Sequence, residues 1–150
     1  MRVVMQRVSM ASVTIDHKLT SSIERGLLVL VGIEENDNEE DLDFLVNKII
    51  NLRIFDDENG VMNRSLIDID GELLCVSQFT LHASTRKGNR PSYIKAAKPE
   101  FSLPFYDKFC SELSTKLGKN IQTGVFGADM KVELINDGPV TIIIDSKIKE

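Results

Sequence analysis

Alternating apolar and polar positions predict short β-strands along most of the chain. Residues 26–33 are instead almost entirely apolar, which is typical of a central strand covered on both faces. We expect turns at residues 16–18 and 136–139, each between two strands. The other predicted strands are residues 3–8, 11–15, 19–23, 72–82, 121–126, 131–135 and 140–145.

A change of period predicts two helices. Apolar residues at i, i+3 and i+4 spacing across residues 42–52 indicate an amphipathic helix, which Asp37 or Asn38 can cap. A second apolar stripe predicts a helix near residues 99–117, ended by Gly118.

Pro104 is expected in the first turn of the second helix, because a proline deeper in a helix breaks the hydrogen-bond ladder. The elements together predict an α+β fold. Its β layers would be mostly antiparallel or mixed, with the two main helices packed on one side.

Length and composition indicate one ordinary domain spanning residues 1–150, with 42% hydrophobic residues. The longest apolar runs are far shorter than the roughly 20 residues that span a bilayer. The polar residues of the N-terminal heptapeptide interrupt its apolar pattern too early for a signal peptide. We therefore expect a cytoplasmic protein with no membrane association.

The cysteines do not suggest a metal site. Cys75 and Cys110 are 35 positions apart, no CxxC occurs, and only His17 and His82 could add imidazole ligands. We expect two reduced cysteines packed as small apolar residues, with no metal and no cofactor. The acidic residues 56–60 resemble a calcium loop only superficially and favour a turn.

The net charge of −5 hides one basic segment. No Asp or Glu occurs between Leu73 and Pro99, whereas five cations do: Arg86, Lys87, Arg90, Lys95 and Lys98. An acidic chain of this kind is not a general polyanion binder. The basic segment is either a solvated loop or a local site for a polyanion, and charge alone does not decide between them.

The strand predicted at residues 72–82 becomes polar towards its end, where Gln78 and Thr80 would share one face. A threonine nucleophile needs a base within hydrogen-bond reach. His82 is the local imidazole, but side chains two positions apart on a strand are rooted about 7 Å apart. No GxSxG, Walker A or GxGxxG motif occurs, and Gly138-Pro139 alone indicates only a hairpin turn.

Several longer segments resemble the D-aminoacyl-tRNA deacylases, also called D-tyrosyl-tRNA deacylases. They occur in the family's order along the whole chain: residues 1–8, 11–13, 26–30, 48–55, Ser77-Gln78-Phe79-Thr80-Leu81, 85–88, 122–130 and Asn136-Asp137-Gly138-Pro139-Val140-Thr141. The resemblance implies the family's layered β/β/α fold. It also implies hydrolysis of the ester between a D-amino acid, or glycine, and the terminal adenosine of tRNA.

The resemblance further implies a homodimer with its active site at the subunit interface. Catalysis would lie in Ser77, Gln78, Phe79 and Thr80, and the substrate would also contact Met130, Asn136, Gly138, Pro139, Val140 and Thr141. A cis Gly138-Pro139 bond reaching across from the partner subunit would present main-chain oxygens that exclude L side chains.

Two catalytic roles are implied for this segment. Thr80 corresponds to a residue once assigned as the nucleophile of the family. The interpretation we favour uses main-chain amides near Phe79 and Thr80 to hold the ester oxygen, with the ribose 2′-OH assisting, because Thr80 has no evident base. Arg86, Lys87 and Arg90 would contact tRNA phosphates without reading sequence.

Two alternatives stay open at this point. One is a tRNA-editing deacylase of different selectivity, which would depend on the geometry of Gly138-Pro139. The other is a non-enzymatic nucleic-acid-binding protein.

Overall fold

A long first strand organises the sheet of the computed structural model, which describes residues 1–149. Strand β1 (Arg2–Ile15) pairs antiparallel with β2 (Lys18–Ile23), β3 (Gly26–Gly32) and β8 (Lys131–Asp145). Strand β3 pairs in parallel with β6 (Glu72–Ser77), and β6 pairs in parallel with β7 (Gln122–Thr123). A separate hairpin joins β4 (Phe55–Asp56) and β5 (Met62–Arg64).

Two helices complete the architecture, α1 (Glu39–Asn51) and α2 (Pro99–Leu117). Asn38 caps α1, because its side chain accepts from the backbone of Glu40 and Asp41, and the Asn38 N–H donates to the Asp41 carboxylate. Gly118 ends α2 in the left-handed conformation, with φ 75°. Of the two residues predicted to cap α1, Asp37 and Asn38, Asn38 is therefore the correct one.

The main core lies between the helices and one face of the sheet. It contains Val3, Met5, Leu27, Val29, Val31, Leu73 and Cys75 from the strands, and Leu42, Leu45, Val46, Ile49, Phe109 and Leu113 from the helices. A second buried cluster covers the opposite face and includes Val8, Leu28, Leu74 and Val76. Strand β3 is thus buried on both faces, and the predicted α+β fold with two helices is confirmed.

Strand β8 corrects the turn predicted at residues 136–139. It runs unbroken from Lys131 to Asp145, and its pairing with β1 shifts register on both sides of Val8. The Asn136 side-chain oxygen accepts from the Val140 N–H at 2.9 Å, which replaces a ladder bond within the shifted segment. Turn-forming residues are accommodated here as a bulge, and β1 is likewise one strand rather than two.

Strand β6 corrects the strand predicted at residues 72–82, because it ends at Ser77 and a 3₁₀ turn, Phe79–His82, follows. The Leu81 N–H donates to the Gln78 carbonyl at 3.2 Å, which turns the chain away from the sheet. Strand β7 is also shorter than the predicted residues 121–126.

Pro104 lies in the second turn of α2 rather than the first, since the helix begins at Pro99. The carbonyl that loses its donor there belongs to Glu100, an exposed residue, so water can satisfy it. Within residues 1–149, neither helix combines the length and apolar character needed to cross a membrane.

Candidate active site

A cleft of ≈ 320 Å³ opens where β6 ends. Ser77, Gln78 and Phe79 line one wall, and residues 126–130, ending at Met130, line another. The remaining lining residues are Val31, Ile33, Val76, Ala97, Ser102 and Val132. The structure thus brings together four of the predicted site residues, namely Ser77, Gln78, Phe79 and Met130.

Thr80 lies in an adjoining groove rather than in this cleft. The groove also includes Arg2, Leu81 and Ile143, and Arg2 Nη1 donates to the Leu81 carbonyl at 2.8 Å. Gln78 Nε2 donates to Thr80 Oγ1 at 2.6 Å. The Thr80 hydroxyl is therefore held by an amide, which cannot act as a base.

His82 does not share a face with Thr80, because the expected strand is a 3₁₀ turn. The imidazole is buried, with Nδ1 at 3.5 Å from Glu34 Oε1. Its Nε2 has no hydrogen-bond partner within residues 1–149. The local geometry gives Thr80 no imidazole base.

Two backbone amides at the start of the 3₁₀ turn are free. Neither Phe79 N–H nor Thr80 N–H has an acceptor in the part of the chain that the structure describes. The first amides of a helical turn point outward from its N-terminal end, where they can bind negative charge. Phe79 also lines the cleft, so this end of the turn can receive an oxygen that becomes negatively charged.

The Gly138-Pro139 segment forms a second, exposed part of the candidate site, and its peptide bond is cis. Asn136 Nδ2 donates to Thr141 Oγ1 at 2.9 Å, and Val140 N–H donates to Asn136 Oδ1. Asn136, Val140 and Thr141 therefore brace one another around the two exposed residues. Gln6 Nε2 adds a bond to Thr141 Oγ1 at 3.2 Å.

Arg7 is a site residue that sequence reasoning missed. Its buried guanidinium donates to the carbonyl oxygens of Asp137 and Ile54, each at 2.7 Å, and lies 3.3 Å from Asp56 Oδ1. The sequence contained a signal for this role, because Arg7 alternates with Val3 and Met5 and so shares the buried face of β1. A charged side chain on that face needs partners, and here it anchors the bulge.

The two parts of the site lie far apart within one chain. Ser77 pairs with Val31, and Val31 pairs with Val3, whereas the bulge lies beside Arg7. Four residues along β1 span about 13 Å, and the three strand spacings from β6 through β3 and β1 to β8 add about 14 Å across the sheet. None of residues 136–141 lines the cleft.

The basic residues lie on an exposed loop that follows the 3₁₀ turn. Ser84 and Ser92 exchange backbone hydrogen bonds of 2.8 and 2.9 Å, and these close the loop. Arg86, Lys87 and Arg90 are exposed at its tip and form no ion pair with residues 1–149.

Cys75 and Tyr106 are buried in the main core. Burial raises the pKa of the Cys75 thiol and of the Tyr106 phenol, so both stay protonated at neutral pH. The Tyr106 hydroxyl donates to the Cys75 carbonyl at 2.9 Å. Both cysteines are free, with Cys75 buried and Cys110 half-buried, as the sequence predicted. Within the described residues, no group of three or more His, Cys, Asp or Glu side chains is placed to hold a metal ion.

Comparison with known proteins identifies the family. The family model described as D-Tyr-tRNA(Tyr) deacylase matches residues 4–145. The D-aminoacyl-tRNA deacylases of Bacteroides fragilis and Flavobacterium psychrophilum are each 68% identical to this chain over 150 residues, covering 100% of both sequences.

Two solved structures share the fold. One, described as c-Myc DNA Unwinding Element Binding Protein, has a TM-score of 0.92 at 44% identity, covering 97% of this chain and 98% of the other. Another, described as a probable eukaryotic D-amino acid tRNA deacylase, has a TM-score of 0.82 at 18% identity, covering 95% of this chain and 97% of the other. Since the family model and the full-length relatives agree, the chain belongs to the D-Tyr-tRNA(Tyr) deacylase family of hydrolases.

Proposed function

We propose that this protein hydrolyses the ester that joins a D-amino acid, or glycine, to the terminal adenosine of tRNA. The observation that carries the proposal is the pair of unpartnered amides, Phe79 N–H and Thr80 N–H, beside a cleft in a member of the deacylase family. This activity would remove D-aminoacyl-tRNA from translation in the cytoplasm.

In the proposed mechanism, the two amides stabilise the negative charge that develops in the transition state. Attack of water on the ester carbon forms a new C–O bond and places negative charge on the former carbonyl oxygen, to which Phe79 N–H and Thr80 N–H donate. The C–O bond to the ribose then breaks, and the leaving ribose oxygen takes up the proton that the water loses. Each such donor stabilises a transition state by roughly 3–4 kcal/mol. Within residues 1–149 the Thr80 hydroxyl bonds to an amide and to no base, so the ribose 2′-OH of the substrate takes the assisting role.

A homodimer brings the two separated parts of the site together in this proposal. Val3 and Met5 face the helices, so Val4 lies on the outer face of β1, next to its β8 partner Ile143. Ile143 is 67% exposed, so it offers an apolar contact to a second subunit on this face.

The outer face has the site's two parts at opposite ends. Arg2 contacts Leu81 at one end, next to Thr80, and Gln6 contacts Thr141 at the other, next to Pro139. A two-fold axis near Val4 and Ile143 exchanges these ends. It therefore places Pro139 of the partner subunit beside the 3₁₀ turn.

Chiral selection follows from that arrangement. Main-chain oxygens of Gly138 and Pro139 from the partner subunit occupy the space that an L side chain would need, whereas a D side chain points away. Glycine has no side chain and passes. Phe79 and Met130 line the cleft and shape the adenosine site, while Arg86, Lys87 and Arg90 contact tRNA phosphates.

The decisive experiment charges one tRNA separately with D-tyrosine, L-tyrosine and glycine and follows free amino acid at sub-stoichiometric enzyme. Rapid release from the D ester and the glycyl ester, with the L ester intact, is expected. Release from the L ester as well would indicate an editing deacylase of different selectivity. Release from none of the three would overturn the enzymatic proposal.

A second candidate function is DNA binding, because a 44% identical structure is described as a DNA unwinding element binding protein. The net charge of −5 weighs against it, since only the loop around Arg86 offers a concentrated positive surface. A gel-shift with duplex DNA tests it directly. Tight binding without deacylation would favour this function over hydrolysis.

A further inference from the structure

An exposed aromatic pair lies at the rim of the cleft. The rings of Phe79 and Tyr93 are 5.0 Å apart and meet edge to face at 75°. Phe79 is 56% exposed and Tyr93 40%, and the next residue, Ile94, is 89% exposed. Large apolar side chains grouped on a surface in this way mark an interaction site.

The backbone fixes Tyr93 between the cleft and the basic loop. Tyr93 follows Ser92, whose backbone bonds with Ser84 close the loop. The Tyr93 carbonyl accepts from the Ala96 N–H at 3.0 Å, and Ala97, a cleft residue, donates to the Ile33 carbonyl at 2.9 Å. The ring is therefore held at the rim.

The loop next to this pair is positive, although the acidic Asp129 lines the cleft itself. The segment from Leu73 to Pro99 has no acidic residue, and Arg86, Lys87 and Arg90 lie on the loop that Ser92 closes. Aromatic faces beside a concentration of Lys and Arg are the usual binding surface for unpaired nucleotides, because every base can stack and every phosphate is negative.

We propose that Tyr93, supported by Phe79 and Ile94, stacks on the unpaired nucleotide next to the terminal adenosine of the tRNA. The basic loop receives the phosphates on either side of that nucleotide. This inference rests on the proposed function, in which the terminal adenosine occupies the cleft. It gives the enzyme a contact common to many tRNAs, because stacking tolerates any base.

The experiment compares a whole and a truncated substrate. D-Tyrosyl-tRNA has the upstream nucleotides, whereas 3′-O-(D-tyrosyl)adenosine has only the terminal one. For Tyr93→Ala, KM for the tRNA should rise about tenfold with kcat nearly unchanged, and KM for the adenosine ester should stay the same. Tyr93→Phe keeps the ring and should behave as the parent protein on both substrates.

Leu19→Ala is the matched control, since Leu19 is also an exposed apolar residue but lies on β2. It should leave both substrates unaffected, and thermal unfolding of each variant checks that the fold is intact. Equal KM changes on the two substrates would overturn the inference, because Tyr93 would then act only through the cleft. No change on either would overturn it as well.

Failure of the underlying function gives a different result. If the parent protein hydrolyses neither D-tyrosyl-tRNA nor the adenosine ester, the proposed function is wrong and the stacking contact falls with it. If the parent hydrolyses both substrates but Tyr93→Ala does not raise KM for the tRNA above its effect on KM for the adenosine ester, the function stands and the stacking contact alone is excluded.

Discussion

The Arg7 guanidinium donates through Nε to the carbonyl oxygen of Asp137 at 2.7 Å, and so a buried cation holds the backbone one residue before Gly138. Its Nη1 donates to the Ile54 carbonyl at 2.7 Å. One side chain on β1 therefore joins the bulge of β8 to the segment that follows α1. The position of the bulge depends on this link.

Replacing Arg7 with methionine should lower the free energy of unfolding by about 2–4 kcal/mol, because two carbonyl acceptors lose their donor. Deacylation should fall further than stability alone explains, since the bulge loses its anchor. Urea unfolding measures the first effect. Arg53→Met, at an exposed position, is the control and should stay within about 0.5 kcal/mol of the parent. Similar losses in both variants would contradict the assigned role of Arg7.

Gly138→Ala should lower the free energy of unfolding by more than the same substitution at a glycine with free space around it. Gly138 has φ +142°, and an added Cβ would lie 2.9 Å from Val140 Cγ2 and 3.0 Å from Arg7 Nη2. Gly60 also has a positive φ, +74°, but nothing lies within 4 Å of its Cβ position. Backbone strain costs about 1–3 kcal/mol at either site, and crowding adds to it only at Gly138. Urea midpoints of Gly138→Ala and Gly60→Ala make the comparison, and equal midpoints would show that the space around Gly138 is not filled.

The proposed role of the Phe79 amide can be separated from that of its ring. Phe79 is the first residue of the 3₁₀ turn, a position at which helices accept proline. A proline disfavours the helical conformation in the residue before it, but Gln78 has φ −146° and ψ 86° and is not helical. Position 79 can therefore accept a proline. Phe79→Pro removes the ring and the N–H, whereas Phe79→Ala removes only the ring. We expect kcat for Phe79→Pro to be about 100-fold below that of Phe79→Ala.

Thr80→Ala completes that series, because it keeps the amide and removes the hydroxyl. It should retain near-normal kcat, since Thr80 Oγ1 accepts from Gln78 and has no base. Steady-state measurements on D-tyrosyl-tRNA give kcat for all three variants. A loss of three orders of magnitude in Thr80→Ala, with the fold intact, would restore a threonine nucleophile.

Asp41 should make stability depend on acidic pH. Burial acts to raise the pKa of Asp41, but hydrogen bonds from Lys147, Ser146 and the Asn38 backbone outweigh burial and hold the pKa below its ordinary value. A carboxylate with a lowered pKa in the folded state stabilises the protein above about pH 4, and that contribution is lost as the pH falls through the folded pKa. Asp41→Asn should therefore have a lower free energy of unfolding than the parent at pH 7. Its free energy of unfolding should also fall less than that of the parent between about pH 5 and pH 2.

Lys147→Met tests the same ion pair from its other side. It removes the strongest partner of Asp41 and should also weaken the decline, by less than Asp41→Asn does, because the Asn38 bond remains. Urea unfolding at a series of pH values measures both variants. If the free energy of unfolding falls with pH in both variants as it does in the parent, Asp41 is not the source of the acid sensitivity.

Local signals were sufficient for much of the fold. The apolar residues 26–33 predicted a strand buried on both faces, and Asn38 and Gly118 predicted the limits of two helices, because caps depend on immediate neighbours. The family resemblance, carried by ordered segments along the whole chain, is confirmed by the family match.

Features that depend on distant partners were not predictable in this way. The continuity of β8 through the bulge comes from its pairing with β1, and the buried Arg7 acquires its acceptors only in the folded chain. The turn at Gln78 was missed because the sequence there alternates as a strand would. The sequence does show the two motifs of the site, but they lie apart within one chain, and bringing them together is the role of the proposed homodimer.

Mixed dimers test whether the site is shared between subunits. Phe79→Pro damages the cleft and leaves the bulge intact. Gly138→Ala leaves the cleft of its own chain intact but adds a methyl group to the segment that faces the substrate in the proposed dimer, so we expect it to block deacylation of D-tyrosyl-tRNA at the partner's cleft. In a heterodimer of the two, a shared site combines the intact cleft of one subunit with the intact bulge of the other. Random exchange makes half of the dimers mixed, each with one complete site, so about a quarter of the parent activity should return.

A site contained within one chain predicts a different outcome. Every subunit of the mixture then has either a damaged cleft or a damaged bulge, and activity stays at the level of the separate variants. Deacylation of D-tyrosyl-tRNA before and after the subunits are mixed and refolded together distinguishes the two arrangements. Ile143→Glu provides the control, because a charge at the proposed two-fold contact should prevent association and abolish the recovery. Recovery that persists in Ile143→Glu chains would place the interface elsewhere.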